Sequence, residues 1–163
     1  MYFSTNKEKG NTSLSIAIAY FSSNGYTVSI PLNDTQDYDL VVEKNSILQT
    51  VQVKSSACKN KAGNYQVALK SCGGTKGTTY KTFVNTKVDL LFIFLEDHSI
   101  YLIPRTDLSN ASTITITSKY HKYKRGNVLQ HIRTWENHME CNKCGRFYKF
   151  KSAVWLCRKR FRW

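Results

Sequence analysis

Apolar residues recur at the spacing of one helical face over residues 11–23, where Leu14, Ala17, Ile18 and Phe21 align and Asn11 or Thr12 offers an N-cap. Asn24-Gly25 stops that helix. Residues 26–30 then alternate as a strand ending at Pro31, and the polar stretch 33–37 reads as a loop. A second strand is expected over 38–43, a tight turn at Lys44-Asn45, and a third strand, rich in β-branched residues, over 47–55. After a basic loop, 65–70 returns as a strand, and the Gly-rich run 71–82 holds no core. Residues 88–95 are almost continuously apolar, as in the middle of a sheet covered on both faces. Glu96-Asp97-His98 forms the next turn. Further strands are expected over 99–103, closed by Pro104, and over 113–117. The pattern predicts a mixed α/β fold, a central sheet with a flanking helix.

A chain of 163 residues suits one domain with a short appended element. No apolar run is long enough to span a bilayer, so no membrane partner is expected. The N-terminal residues lack the apolar core and cleavage site of a secretory signal, which places the five cysteines in a reducing compartment, the cytoplasm or an organelle matrix or stroma.

Charge changes the picture more. The formal net charge is +13, and 13 of the 24 Lys and Arg lie in residues 119–163 against only Glu136 and Glu140. Such a balance points to a polyanionic partner, whose condensed counterions Lys and Arg release. Residues 1–118 are thus nearly neutral, and the division expected is a body, 1–125, and a basic, aromatic-rich extension, 126–163.

Within the first hairpin, Asp39 begins one strand while Gln52 and Lys54 end the next. Side chains alternate along a strand, so Gln52 and Lys54 share a face and Val51 and Val53 take the other. An antiparallel hairpin brings Asp39 beside them. A carboxylate, an amide oxygen and the Val53 carbonyl make an oxygen-only ligand set suited to Mg²⁺, and Lys54 can orient a water or stabilise charge on a phosphorane. The same three side chains would equally fit a solvated strand face. Asp37 lies one step further out and ends the loop, and Glu43, about 13 Å along the strand at about 3.3 Å per residue, cannot reach the same ion.

The order Lys9-Gly10, amphipathic helix, Asn24-Gly25-Tyr26, strand, Pro31, Tyr38-Asp39-Leu40, Gln52-Val53-Lys54 resembles the PD-(D/E)xK nuclease superfamily, in its group I intron-encoded homing endonuclease branch. The resemblance continues through Val88-Asp89-Leu90-Leu91, Ile100-Tyr101-Leu102-Ile103-Pro104 and Ser118-Lys119-Tyr120. It implies a restriction-endonuclease-like core and a Mg²⁺-dependent, site-specific endonuclease of double-stranded DNA acting as a homo-oligomer, dimer or tetramer. Asp39 would be the motif acid, Gln52 the occupant of the second acidic position and Lys54 the motif lysine. Two departures stand out: Gln52 removes a negative charge, and the helix glutamate of many relatives is unmatched at Asn11 and Leu14, leaving Glu8 as the nearest carboxylate. The alternatives are a Holliday junction resolvase and a non-catalytic nucleic-acid-binding protein with a decayed nuclease fold.

DNA contacts are expected from Lys70, Lys76, Tyr80 and Lys81 in the polar loop, and from Lys119, Lys122, Lys124 and Arg125. In the extension, Cys141 and Cys144 have zinc-knuckle spacing; with Cys157 and His138 they would complete a Cys₃His site for Zn²⁺, against free thiols.

Overall fold

The computed structural model describes residues 5–33, 35–69, 71–72, 80–81, 86, 88–108 and 112–128. The chain divides into two units, Met1–Asn127 and Val128–Trp163, and nearly all described residues belong to the first.

The helix, α1, spans Asn6–Ser23 and starts more than a turn before the expected Asn11 or Thr12 cap. Its N-cap is Thr5, whose hydroxyl accepts the Glu8 N–H at 3.2 Å while the Glu8 carboxylate accepts the Thr5 N–H at 3.1 Å. This capping box satisfies two backbone donors that a helix end leaves open. The first turns carry no large apolar residue, so hydrophobic spacing could not reveal them; the Thr5-x-x-Glu8 pattern could. The helix ends at Asn24, followed by Gly25 at φ +75°.

Among the described residues ten strands follow: β1 Thr27–Ser29, β2 Leu40–Lys44, β3 Ile47–Ser56, β4 Gln66–Ala68, β5 Ser71–Cys72, β6 Tyr80–Lys81, β7 Leu90–Leu95, β8 Ser99–Pro104, β9 Thr113–Thr115 and β10 Lys124–Asn127. Six form a mixed sheet in the order β1-β2-β3-β7-β8-β10, with β3 and β7 parallel and the other neighbours antiparallel. The β2–β3 turn sits at Asn45-Ser46, one residue later than expected, both with positive φ (53° and 62°), the geometry whose twist matches a two-residue hairpin. Strand β10, inside the expected phosphate-contact cluster, was not foreseen as a strand; it pairs with β8 through an irregularity between Lys124 and Gly126.

Strand β7 is buried at all six positions, as the continuous apolar run implied. One face of the sheet, with Val51 and Phe92, takes α1: the Phe21 ring meets Phe92 at 5.9 Å and Tyr20 meets it at 5.6 Å. The other face, with Leu91, Ile93 and Ile103, is covered by the β4–β9 ribbon through Val67 and Ile114 and by the 3-10 helix Ser118–Tyr123 through Tyr120 and Tyr123. The 113–117 strand thus lies on the cover and not in the central sheet. Among the described residues, no helix is long and apolar enough to cross a membrane.

Strand β3 changes partner at Val51, which pairs with Leu40 of β2 and with Leu90 of β7. The residue before each of these positions is clamped to the other: Asp89 Oδ2 accepts the Thr50 N–H and the Thr50 hydroxyl, each at 2.8 Å, and the Asp89 N–H reaches Thr50 Oγ1 at 3.1 Å. Bonds to a charged acceptor are the stronger kind. Asp89→Ala should therefore lower unfolding free energy by about 1–2 kcal/mol, read from urea unfolding as a lower midpoint at unchanged slope.

Candidate active site

Asp39 stands one residue before the Leu40↔Val51 pair and Gln52 one after it, so the hairpin register sets them across from each other. The Asp39 N–H donates to the Val51 carbonyl at 2.9 Å. Its carboxylate then continues the ladder past the last backbone pair, with Oδ2 accepting the Val53 N–H at 2.6 Å. In a strand the N–H and C=O of one residue leave on the same side. The Val53 carbonyl therefore points to the same strand edge as the N–H that Asp39 holds.

Gln52 and Lys54 lie on the face that carries Leu91 and Ile93, their register partners in β7. Gln52 is 6% exposed, with its side-chain oxygen withdrawn from solvent, while Lys54 is half-buried. Asp39 keeps access to solvent, yet the atoms packed around its carboxylate desolvate it and raise its pKa above the usual value. The Val53 N–H and the Lys54 ammonium pull in the other direction without prevailing. Its charged form is thus held in a place that disfavours it, a condition that a cation relieves. Carboxylate, amide oxygen and backbone carbonyl are all hard donors, so the residues present fit Mg²⁺. Among the described residues, no group of three or more His, Cys, Asp or Glu gathers as a metal cluster.

The remaining predicted residues fall elsewhere. Glu8 is at the third position of α1 and serves the capping box. Lys119 and Lys122 lie on the Ser118–Tyr123 helix with their ammonium groups over the rings of Tyr120 (5.2 Å) and Tyr123 (4.8 Å). Lys122 also pairs with Asp107 at 3.2 Å, a bond that holds the Asp107 carboxyl below its ordinary pKa. Lys124 and Arg125 are exposed on β10 at the sheet edge. Tyr80 and Lys81 form β6, paired with β5. Lys70, Lys76, His138, Cys141, Cys144 and Cys157 lie outside the described residues. The Asp89 clamp on Thr50 was missed; an acidic residue directly ahead of a buried apolar strand was the available signal.

The PD-(D/E)XK endonuclease family matches residues 4–138. Among solved structures, the chain is similar to the bacterial homing endonuclease I-Ssp6803I, with 26% identity and a TM-score of 0.58 over 82% of this chain and 94% of that one. It also shares its fold with a Holliday junction resolvase of the archaeal hyperthermophile Archaeoglobus fulgidus, with 10% identity and a TM-score of 0.50 over 76% and 94% of the two chains. No curated protein matches the sequence.

The raised pKa of Asp39 fixes the sign of one prediction. A carboxyl whose folded pKa exceeds its unfolded value contributes stability below the unfolded pKa and loses it as pH rises through the folded one. Asn in its place keeps an oxygen for the Val53 N–H and carries no charge. Without divalent cations, Asp39→Asn should raise the thermal midpoint at pH 7, with the gain shrinking as pH falls toward about 4. Thermal unfolding of both proteins across that range checks it, and a loss of stability at neutral pH would contradict it.

Proposed function

The chain belongs to the PD-(D/E)XK endonuclease family, and from that premise we propose that it is a Mg²⁺-dependent, site-specific endonuclease of double-stranded DNA, of the intron-encoded homing type. The observation that carries this reading is the meeting of Asp39, Gln52, Val53 and Lys54 at the point where β3 leaves β2 and takes up β7. Similarity to a bacterial homing endonuclease over most of both chains supports the homing type.

In this reading Asp39, Gln52 and the Val53 carbonyl hold the cation, which when bound neutralises charge on the scissile phosphate. Asp39 arrives oriented, because the Val53 N–H fixes one of its oxygens and leaves the other free to turn outward. Gln52 adds a neutral oxygen. Lys54, two residues along the same face, orients the attacking water and stabilises the negative charge that builds on the phosphoryl oxygens. Each chain carries one such site, so breaking both strands of a duplex needs two copies, and a homo-oligomer follows. Zn²⁺ in the 126–163 extension remains a separate proposal, resting on cysteine and histidine spacing alone. Gln52 in an acidic position favours a second reading, a DNA-binding protein without catalysis.

Plasmid bearing an uninterrupted target, incubated with and without Mg²⁺, separates the two. Cleavage by the wild type, lost in Asp39→Ala and in Lys54→Ala while both still shift DNA in a gel, is the expected result. Full cutting by either variant would sink the assignment, and binding without nicking by the wild type would select the second reading. Faster cutting of four-way junctions than of linear duplex would replace homing with junction resolution. Gln52→Glu supplies a further check: the added charge should lower the Mg²⁺ concentration giving half-maximal cleavage, by roughly tenfold for each 1.4 kcal/mol gained in binding.

A further inference from the structure

The connection from β3 to β4 turns onto the face that carries Gln52 and Lys54. Ser56 ends β3 with its hydroxyl donating to the Gln66 carbonyl and accepting the Cys58 N–H, and the Gln66 N–H returns to the Cys58 carbonyl at 2.8 Å. Strand β4 then lays Val67 on the cluster that includes Leu91 and Ile93. Residues 59–65 therefore stand at the end of the strand that bears the candidate site, on the site's own face.

This loop is held by its own bonds, with Tyr65 anchoring its base to the core cluster. Asn60 Oδ1 accepts the N–H groups of Ala62 and Asn64, each at 3.0 Å. The Asn60 N–H donates to the Asn64 carbonyl and the Gly63 N–H to the Asn60 carbonyl, each at 2.9 Å. Gly63 turns the chain at φ +81°, and Lys59 bridges to Tyr65 across the base. The Lys59 ammonium sits over the Tyr65 ring at 4.6 Å, and Tyr65 packs against the core cluster. Lys61 is exposed at the tip. No acidic residue occurs between Glu43 and Asp89, a segment that holds eight lysines. The loop thus presents cations at low entropic cost with no carboxylate nearby in sequence to neutralise them.

We propose that loop 59–65 is a preformed clamp on the phosphate backbone of duplex DNA, with Lys59 and Lys61 as the contacts and Asn60 as the residue that holds them in place. The inference rests on the nuclease reading for its choice of partner. Lys59 is five residues beyond Lys54, at most about 17 Å along an extended strand. Phosphates of one strand repeat every 3.4 Å or so along the helix axis, which puts Lys59 within about five nucleotides of a phosphate held at Lys54.

The test uses the full chain, a mixed-sequence DNA duplex of about 30 base pairs, or three helical turns, and binding measured without Mg²⁺ over a salt series. The slope of log affinity against log salt is about −0.9 per phosphate neutralised, so Lys59→Gln with Lys61→Gln should flatten it by about 1.8. Asn60→Ala keeps both charges and should weaken binding several-fold at nearly unchanged slope. A control pair, Lys7→Gln with Lys44→Gln, removes equal charge from α1 and the hairpin end. Circular dichroism confirms that each variant is folded. An unchanged slope in the loop variant, or equal flattening in the control, overturns the clamp. A wild type that shows the predicted loop effect but never cuts DNA with Mg²⁺ overturns the nuclease reading and leaves the clamp standing.

Discussion

Everything at the candidate site depends on β3 serving two partners in succession. Its first half completes an antiparallel hairpin with β2, and its second half runs parallel to β7. Beyond Val51 the edge that faced β2 would expose unpaired backbone groups, which costs free energy unless something replaces the lost strand. Asp39 supplies the replacement: its carboxylate accepts the Val53 N–H. The group that repairs the ladder is the group that carries the negative charge of the site. Its position is therefore set by the sheet itself, to the accuracy of a hydrogen-bonded strand pair, and not by a loop.

Register is what makes this arrangement specific. A slip of one residue in β3 would turn Gln52 and Lys54 toward α1 and bring Val51 and Val53 to the other face. Buried apolar residues on both faces oppose the slip, since Val51 is fully buried beneath α1 and Leu91 and Ile93 lie under the β4–β9 cover. Asp89 opposes it again by binding Thr50 at the switch point. Core packing and polar bonds thus hold the same alignment.

The alternation of apolar and polar residues made most of the central sheet legible, and the buried β7 most plainly, because a strand covered on both faces leaves a run that solvated elements do not. The start of α1 was not legible by the same reading, since its first turns bury nothing and are specified by the Thr5–Glu8 cap. Strand β10 was hidden for a related reason: Lys124-Arg125-Gly126 has an edge-strand role without an apolar signature, and its charge drew a different reading. At the site, strand parity grouped Gln52 with Lys54, and a hairpin turn near Lys44-Asn45 implied that Asp39 joins them. What parity could not foresee was the bond from Asp39 to Val53, because it links a side chain to backbone outside the regular ladder. Nor could it foresee that Glu8, the nearest carboxylate to the helix position, has its oxygen occupied at the helix cap.

The glutamine at position 52 gains a physical rationale from the same geometry. Asp39 is already desolvated enough for its pKa to rise. Gln52 sits across from it and is nearly inaccessible to solvent. A second carboxylate there would add like-charge repulsion to desolvation, and in the metal-free protein one of the two would take up a proton. The amide avoids that conflict and still offers an oxygen. Its cost is weaker attraction for a cation, since a neutral donor contributes a dipole where an anion would contribute a full charge. In the proposed reading, a site with one carboxylate, one amide and one backbone carbonyl is less strained without metal than one with two carboxylates, and would bind a cation less tightly. The lysine beside it shifts the balance further in the same direction. On the same reading duplex DNA would correct it, because the phosphate would bring its own negative oxygens to the place where the protein has withheld one. Metal and substrate would then bind cooperatively, each supplying charge that the other needs.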